Sequence, residues 1–115
     1  EQLALHHIRQ IKQKLGISGV QSDICGWKGD GAQIDLLIDR RDQTINLCEM
    51  KFSQGEFEIT KQYDERLRER AEMFRSVTKT RKALHQTFIT TYGLKKNMYS
   101  GTVQSEVILD DLFVE

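Results

Sequence analysis

Asp35, Glu49 and Lys51 are the residues of this 115-residue chain whose types and spacing invite chemistry. Each acid sits inside a short apolar run, 34–38 and 45–50, where a charged side chain without a partner is costly. Two carboxylates held close together form a ligand set for a hard divalent cation, which takes oxygen donors. A lysine near a cation and partly buried has its pKa pushed down, which helps it act as a base.

The elements that must position them are strands. Apolar runs bounded by polar punctuation read as buried strands, and Arg40-Arg41-Asp42-Gln43 between the two runs makes them a hairpin. A hairpin centred on Asp42 pairs residues whose numbers sum to 84: Asp35 with Glu49, Leu37 with Leu47, Gln33 with Lys51. Directly opposed residues have Cβ atoms roughly 5 Å apart, where like charges destabilise. The arrangement makes sense around a cation, and Lys51 stands one pleat further along the same face. A slip of one residue would send the acids to opposite faces.

The rest of the chain supplies a sheet and helices around that hairpin. Residues 1–15 predict an amphipathic helix, with Ala4, Ile8, Ile11 and Leu15 at helical spacing and Leu5 widening the stripe. Gly16 offers its C-cap. Glu1 lies at the end of the buried stripe, as a solvent-facing acid favoured by the helix N-terminus or as a third acid reaching the site. His6 and His7 are about 100° apart on a helix and cannot easily share a ligand. A first strand is expected over 17–27, and Lys28-Gly29-Asp30-Gly31 turns it into the central hairpin. A long helix begins near the N-cap Thr60 and buries Ile59, Tyr63, Leu67, Ala71 and Phe74. Its other face is charged, with Asp64–Arg68 or Arg68–Glu72 pairs at i,i+4. Arg75, Lys79, Arg81 and Lys82 are a solvated helix end or a phosphate contact. Residues 84–92 make a fourth strand, 105–109 a fifth, and Asp110 could cap a final turn holding Leu112 and Phe113. The order is αβββαβ with one further strand, hence a single α/β domain over 1–115, a mixed sheet flanked by helices.

Composition narrows the classes. At 38% hydrophobic and 30% charged, the chain has the make-up of a folded, soluble domain. No apolar run approaches the ~20 residues of a membrane span. Seventeen basic and 17 acidic residues cancel, which argues against a non-specific nucleic-acid coat but allows local basic patches. Cys25 and Cys48 lack metal-type spacing and read as buried thiols of a reducing compartment, so the cytoplasm is expected. The chain opens at Glu1 within a helix and reads as a piece of a longer protein.

The element order, with Asp35, thirteen intervening residues and then Glu49-Met50-Lys51, resembles the PD-(D/E)XK nuclease superfamily over nearly the whole chain. More narrowly, residues 31–39, Cys48-Glu49-Met50-Lys51 and the end Asp110-Asp111-Leu112-Phe113 resemble the nuclease-like domain at the C-terminus of certain prokaryotic AAA-type ATPases. The resemblance implies a restriction-endonuclease-like core in which Asp35 and Glu49 hold Mg²⁺ or Mn²⁺. The backbone carbonyl of Met50 is a further ligand, Glu1 matches a first-helix acid of several branches, and Lys51 orients or helps deprotonate the attacking water. Ile34 stands where the family has a proline. Gln62 and Tyr63 resemble a downstream helix motif of some branches, although Tyr63 also fits the helix's apolar face.

The expected function is metal-dependent hydrolysis of DNA phosphodiesters. The alternative is a catalytically silent nuclease-like module that binds nucleic acid or regulates an attached AAA-type ATPase. A purely structural domain with a buried Asp-Lys-Glu network is the third reading. Implied partners are DNA, the ATPase domain of the same chain and a second copy in a homodimer.

Overall fold

The computed structural model describes residues 2–29 and 31–113. It is an α/β structure built on one five-stranded mixed sheet in the order β1-β2-β3-β4-β5. These are Ser22–Gly29, Ala32–Arg40, Thr44–Lys51, Ala83–Thr90 and Ser105–Ile108. The first three run antiparallel in succession, and β4 and β5 join in parallel. Helices α1 (Gln2–His6) and α2 (Ile8–Lys14) lie on one face and α3 (Lys61–Thr78) on the other.

The two faces follow from strand alternation. Leu36, Ile38, Cys48, Ile89 and Val107 pack with Ala4 and Ile11. Ile34, Leu37, Ile45 and Leu47 pack with Phe74, and Phe88 packs with Leu67 and Ile59. Full burial of Phe88 contributes about 1.5–3 kcal/mol. Thr60 caps α3 as expected, its hydroxyl accepting from the Tyr63 amide at 3.1 Å.

The expected register forms. Leu36 pairs with Cys48, Leu37 with Leu47, Ile38 with Asn46 and Asp39 with Ile45. Its turn is fixed by Arg40, whose Nε and Nη2 donate to the two oxygens of Asp42 at 2.9 and 2.6 Å. Gln43 takes the left-handed conformation (φ 68°) that a three-residue hairpin loop needs.

Three expectations change. The first helix breaks at His7, whose Nδ1 donates to the Leu3 carbonyl at 2.8 Å. In an unbroken helix that carbonyl would take the His7 amide, which turns instead to Ala4 (3.1 Å) and tightens the turn. The expected stripe Ala4, Ile8, Ile11 and Leu15 still packs on the core, but Leu3 and not Leu5 widens it, and Leu5 is exposed. The first strand starts at Ser22, because Ile17 and Val20 are used to pack the connection after Gly16. Cys25 is exposed on edge strand β1, and only Cys48 is a buried thiol.

The fourth finding concerns Asp35 directly. Cys25 pairs with Leu37 but Trp27 with Ile34, so two steps along β1 match three along β2. The extra residue is a β-bulge at Asp35–Leu36 opposite Gly26. A side chain at Gly26 would press on the bulge, its Cβ falling 3.3 Å from the Asp35 carbonyl oxygen. Ile34 and Leu37, three residues apart, consequently share the α3 face.

Candidate functional site

Glu49 and Lys51 are two residues apart on β3, in step with Ile45 and Leu47, and so face α3. Helix α3 crosses above them and brings Tyr63, Arg66 and Arg70, at i, i+3 and i+7, to the same side. Together with Gln33 these residues line an open groove of about 390 Å³.

Glu49 is the most heavily engaged group in it. Arg70 Nη2 lies 2.6 Å from Glu49 Oε2, and Lys51 Nζ lies 3.8 Å from Oε1. Arg70 also donates through Nη1 to the Gln33 carbonyl at 3.3 Å, so one guanidinium ties β2 to β3. Burial first, then the charge and hydrogen bonding of Glu49, hold the Tyr63 phenol well above its ordinary range. Its hydroxyl therefore stays protonated beside the carboxylate. Lys51 Nζ and Arg66 Cζ each lie 5.4 Å from the Tyr63 ring centroid, and Phe57 and Phe88 pack against the same ring. Tyr63 is at once a half-buried core residue and a wall of the groove.

The other expected site residues are distributed as follows. Asp35 is exposed and accepts from Gln33 Nε2 at 2.7 Å. It lines an adjoining depression with Gly26, Trp27, Lys28 and Ile34, and Gln33 is common to both hollows. The bulge takes Asp35 out of the ladder that aligns Leu36 with Cys48. Glu49 and Lys51 are thus brought together, with Asp35 beside their groove. Met50 is half-buried against the α1–α2 core, so any part it takes in the site falls to its backbone. Glu1 lies outside the described residues. Gln62 is exposed and does not line the groove.

Arg66 and Arg70 are the residues that sequence reasoning missed. Their signal was present: Tyr63, Arg66, Arg70 and Met73 recur at three- and four-residue intervals and mark a second helix face beside the apolar one. Of the basic residues Arg75, Lys79, Arg81 and Lys82, the first and last are used internally. Arg75 donates to the carbonyls of Thr80 (2.9 Å) and Lys82 (3.1 Å), and Lys82 pairs with Asp39 at 2.6 Å. Asp64, expected on a solvated face, is buried; it accepts from Arg68 (2.9 Å) and from Thr102 Oγ1 (3.3 Å).

As chemistry, the donor set suits Mg²⁺ or Mn²⁺ in kind. Carboxylate oxygens are hard ligands, and Mg²⁺ keeps several waters of its own. Among the described residues no three acidic, His or Cys side chains converge. Arg70 lies against Glu49 Oε2 and Gln33 donates to Asp35 Oδ1, so an ion at either acid competes with a contact already made. The cations suit phosphate, since guanidinium groups match its oxygens. Among the described residues no helix is long and apolar enough to cross a membrane. No family model matches the chain, and no curated protein matches it either.

Proposed function

We propose that this chain is a PD-(D/E)XK-type domain with a restriction-endonuclease-like core that hydrolyses DNA phosphodiesters with Mg²⁺ or Mn²⁺. The observation that carries the reading is Glu49 and Lys51 side by side on β3 in an open groove, under a helix face bearing Tyr63, Arg66 and Arg70. The five-stranded sheet with its antiparallel β1–β2–β3 start supports it as well.

Asp35, Glu49, the Met50 backbone carbonyl and, where it reaches, Glu1 would hold the ion. Bound there, the ion would supply Lewis-acid polarisation of a phosphoryl oxygen and a lowered pKa for a water. Lys51, with its ammonium beside Glu49 and Tyr63, would orient the attacking water and take part in its proton transfer. Arg66 and Arg70 supply guanidinium donors to the phosphate backbone. Tyr63 would wall the site, its ring beside Lys51 and Arg66. Attachment to a prokaryotic AAA-type ATPase, a cytoplasmic setting and a homodimeric arrangement accompany the same resemblance.

A second reading rests on a specific observation, the 2.6 Å contact of Arg70 with Glu49. A carboxylate so neutralised suits a silent module that grips nucleic acid or serves an attached ATPase. One set of assays separates the two. Single- and double-stranded DNA are incubated with Mg²⁺ or Mn²⁺, using wild type and Lys51→Met, and binding is followed by fluorescence anisotropy. Metal-dependent cleavage lost in Lys51→Met, with DNA binding retained, is the expected result. Binding without cleavage selects the silent module. Neither binding nor cleavage overturns both.

A further inference from the structure

Arg70 is placed unlike a group at rest. Its side chain is 18% exposed and that of Glu49 17%. Both Nε and Nη2 are shut off from solvent without a hydrogen-bond acceptor, although Nη2 is only 2.6 Å from Glu49 Oε2. The contact has the distance of an ion pair but not the alignment of a hydrogen bond. A buried charged donor left unmatched is expensive, and such groups in folded proteins call for an explanation. Only Nη1 is satisfied, by the Gln33 carbonyl. The guanidinium is held to Glu49 by charge more than by fit.

The neighbourhood explains why it stays there. Lys51 approaches Glu49 from the other oxygen at 3.8 Å, and Tyr63 lines the same groove with Lys51 5.4 Å from its ring centroid. Glu49 thus stands between two cations of the groove, the nearer of them Arg70. Asp35 is engaged by Gln33, the residue whose carbonyl anchors Arg70. Gln33 therefore contacts one acid of the proposed metal site and the cation on the other, its amide on Asp35 and its carbonyl on Arg70.

We propose that Arg70 is a displaceable counter-cation of Glu49: it occupies the carboxylate in the metal-free chain, competes with the divalent ion for it, and faces the groove as a phosphate-binding group once displaced. This rests on the metal-dependent reading above. A divalent ion at Glu49 repels the guanidinium, and the open groove gives the side chain room to turn toward solvent. Metal and phosphodiester then bind with positive coupling, because the ion's arrival frees a cation for the substrate. Equal charge on Arg70 and Lys51 does not make them equivalent. Lys51 is 37% exposed and its ammonium can be hydrated where it stands, whereas the Arg70 donors cannot.

The test is Mn²⁺ binding, by electron paramagnetic resonance and calorimetry, to wild type, Arg70→Gln, Arg70→Lys and Glu49→Gln. Arg70→Gln is expected to bind Mn²⁺ about tenfold or more tightly than wild type, a change of about 1.4 kcal/mol. Arg70→Lys, which keeps the charge, should stay close to wild type, and Glu49→Gln should lose the ion. A second measurement needs no variant. The Arg70 Nε–H resonance of ¹⁵N-labelled wild type should move toward the solvent-exposed arginine range as diamagnetic Mg²⁺ is added. Equal Mn²⁺ affinity in wild type and Arg70→Gln, with binding still lost in Glu49→Gln, overturns the proposal and leaves the metal site standing. An unmoved Arg70 resonance at saturating Mg²⁺ does the same. Absence of Mn²⁺ binding in both wild type and Arg70→Gln overturns the metal-dependent reading together with this inference.

Discussion

Replacing Glu49 with glutamine in metal-free buffer separates a paired carboxylate from a repelled one. If Asp35 and Glu49 faced each other without compensation, neutralising either would relieve strain and raise the melting temperature. The geometry says otherwise, since Glu49 has Arg70 at 2.6 Å and Lys51 at 3.8 Å, with its side chain 17% exposed. Removing one partner of a buried ion pair costs about 3–5 kcal/mol, because the other charge is left uncompensated. Partial exposure and the remaining amide oxygen reduce this to about 2–3 kcal/mol for Glu49→Gln. For a chain of this size that corresponds to a fall of roughly 8–12 °C. Asp35→Asn should differ little, within about 0.5 kcal/mol, because Asp35 is exposed and an amide oxygen can still accept from Gln33. Thermal unfolding of both variants with chelator present is the assay, and the double variant Glu49→Gln/Arg70→Gln supplies the control. It should recover part of the loss, with a coupling of about 1 kcal/mol or more between the two positions. A Glu49→Gln melting temperature within 2 °C of wild type, or one raised above it, would refute the pairing on which the site description rests.

Gly26→Val sets a β-branched side chain against the Asp35 carbonyl, 3.3 Å from where its Cβ would sit, and should cost about 1–3 kcal/mol in denaturant unfolding; a neutral substitution would remove the bulge's tight fit. Thr60→Ala deletes the hydroxyl that accepts from the Tyr63 amide and should cost about 1 kcal/mol while shortening α3 at its site-bearing end, measurable by amide exchange of residues 61–64. The two thiols should separate cleanly with a thiol reagent near neutral pH, Cys25 reacting in the folded protein and Cys48 only on unfolding. Burial, with the Glu49 charge second, pushes the Cys48 thiol up to about 12 from its ordinary value of 9.0. Because its folded value is the higher one, the associated stability is fully present below pH 9 and is lost as pH rises from there toward 12. A stability unchanged across that window in wild type but not in Cys48→Ala would show the sign to be wrong.

Much of the sheet was legible because its determinants are local. The hairpin register follows from where its turn must fall, and the Arg40–Asp42 fork and the left-handed Gln43 put it there. The buried face of α3 follows from five apolar residues at helical spacing, and its start from Thr60. What escaped depends on contacts between segments distant in sequence. Nothing near His7 announces that its imidazole will take the Leu3 carbonyl, yet the helix divides at that bond. The bulge at Asp35–Leu36 needs Gly26 on the neighbouring strand, so an alternation count along β2 alone misses it.

The candidate site divides along the same line. Glu49 and Lys51 are readable because two residues apart on a strand share a face whatever the rest of the fold does. Asp35 was placed by extending the ladder one pair past the point where it holds, and an inserted residue at that point changes its neighbours. Arg70 was hidden for the opposite reason: charges on an amphipathic helix are usually solvated, so pattern alone assigned it to water. What distinguishes it is tertiary, a guanidinium spanning Gln33 on β2 and Glu49 on β3. The sheet lays out the carboxylates, while the helix laid across it decides which cation meets them. That makes the metal question one of competition at Glu49 more than of ligand inventory.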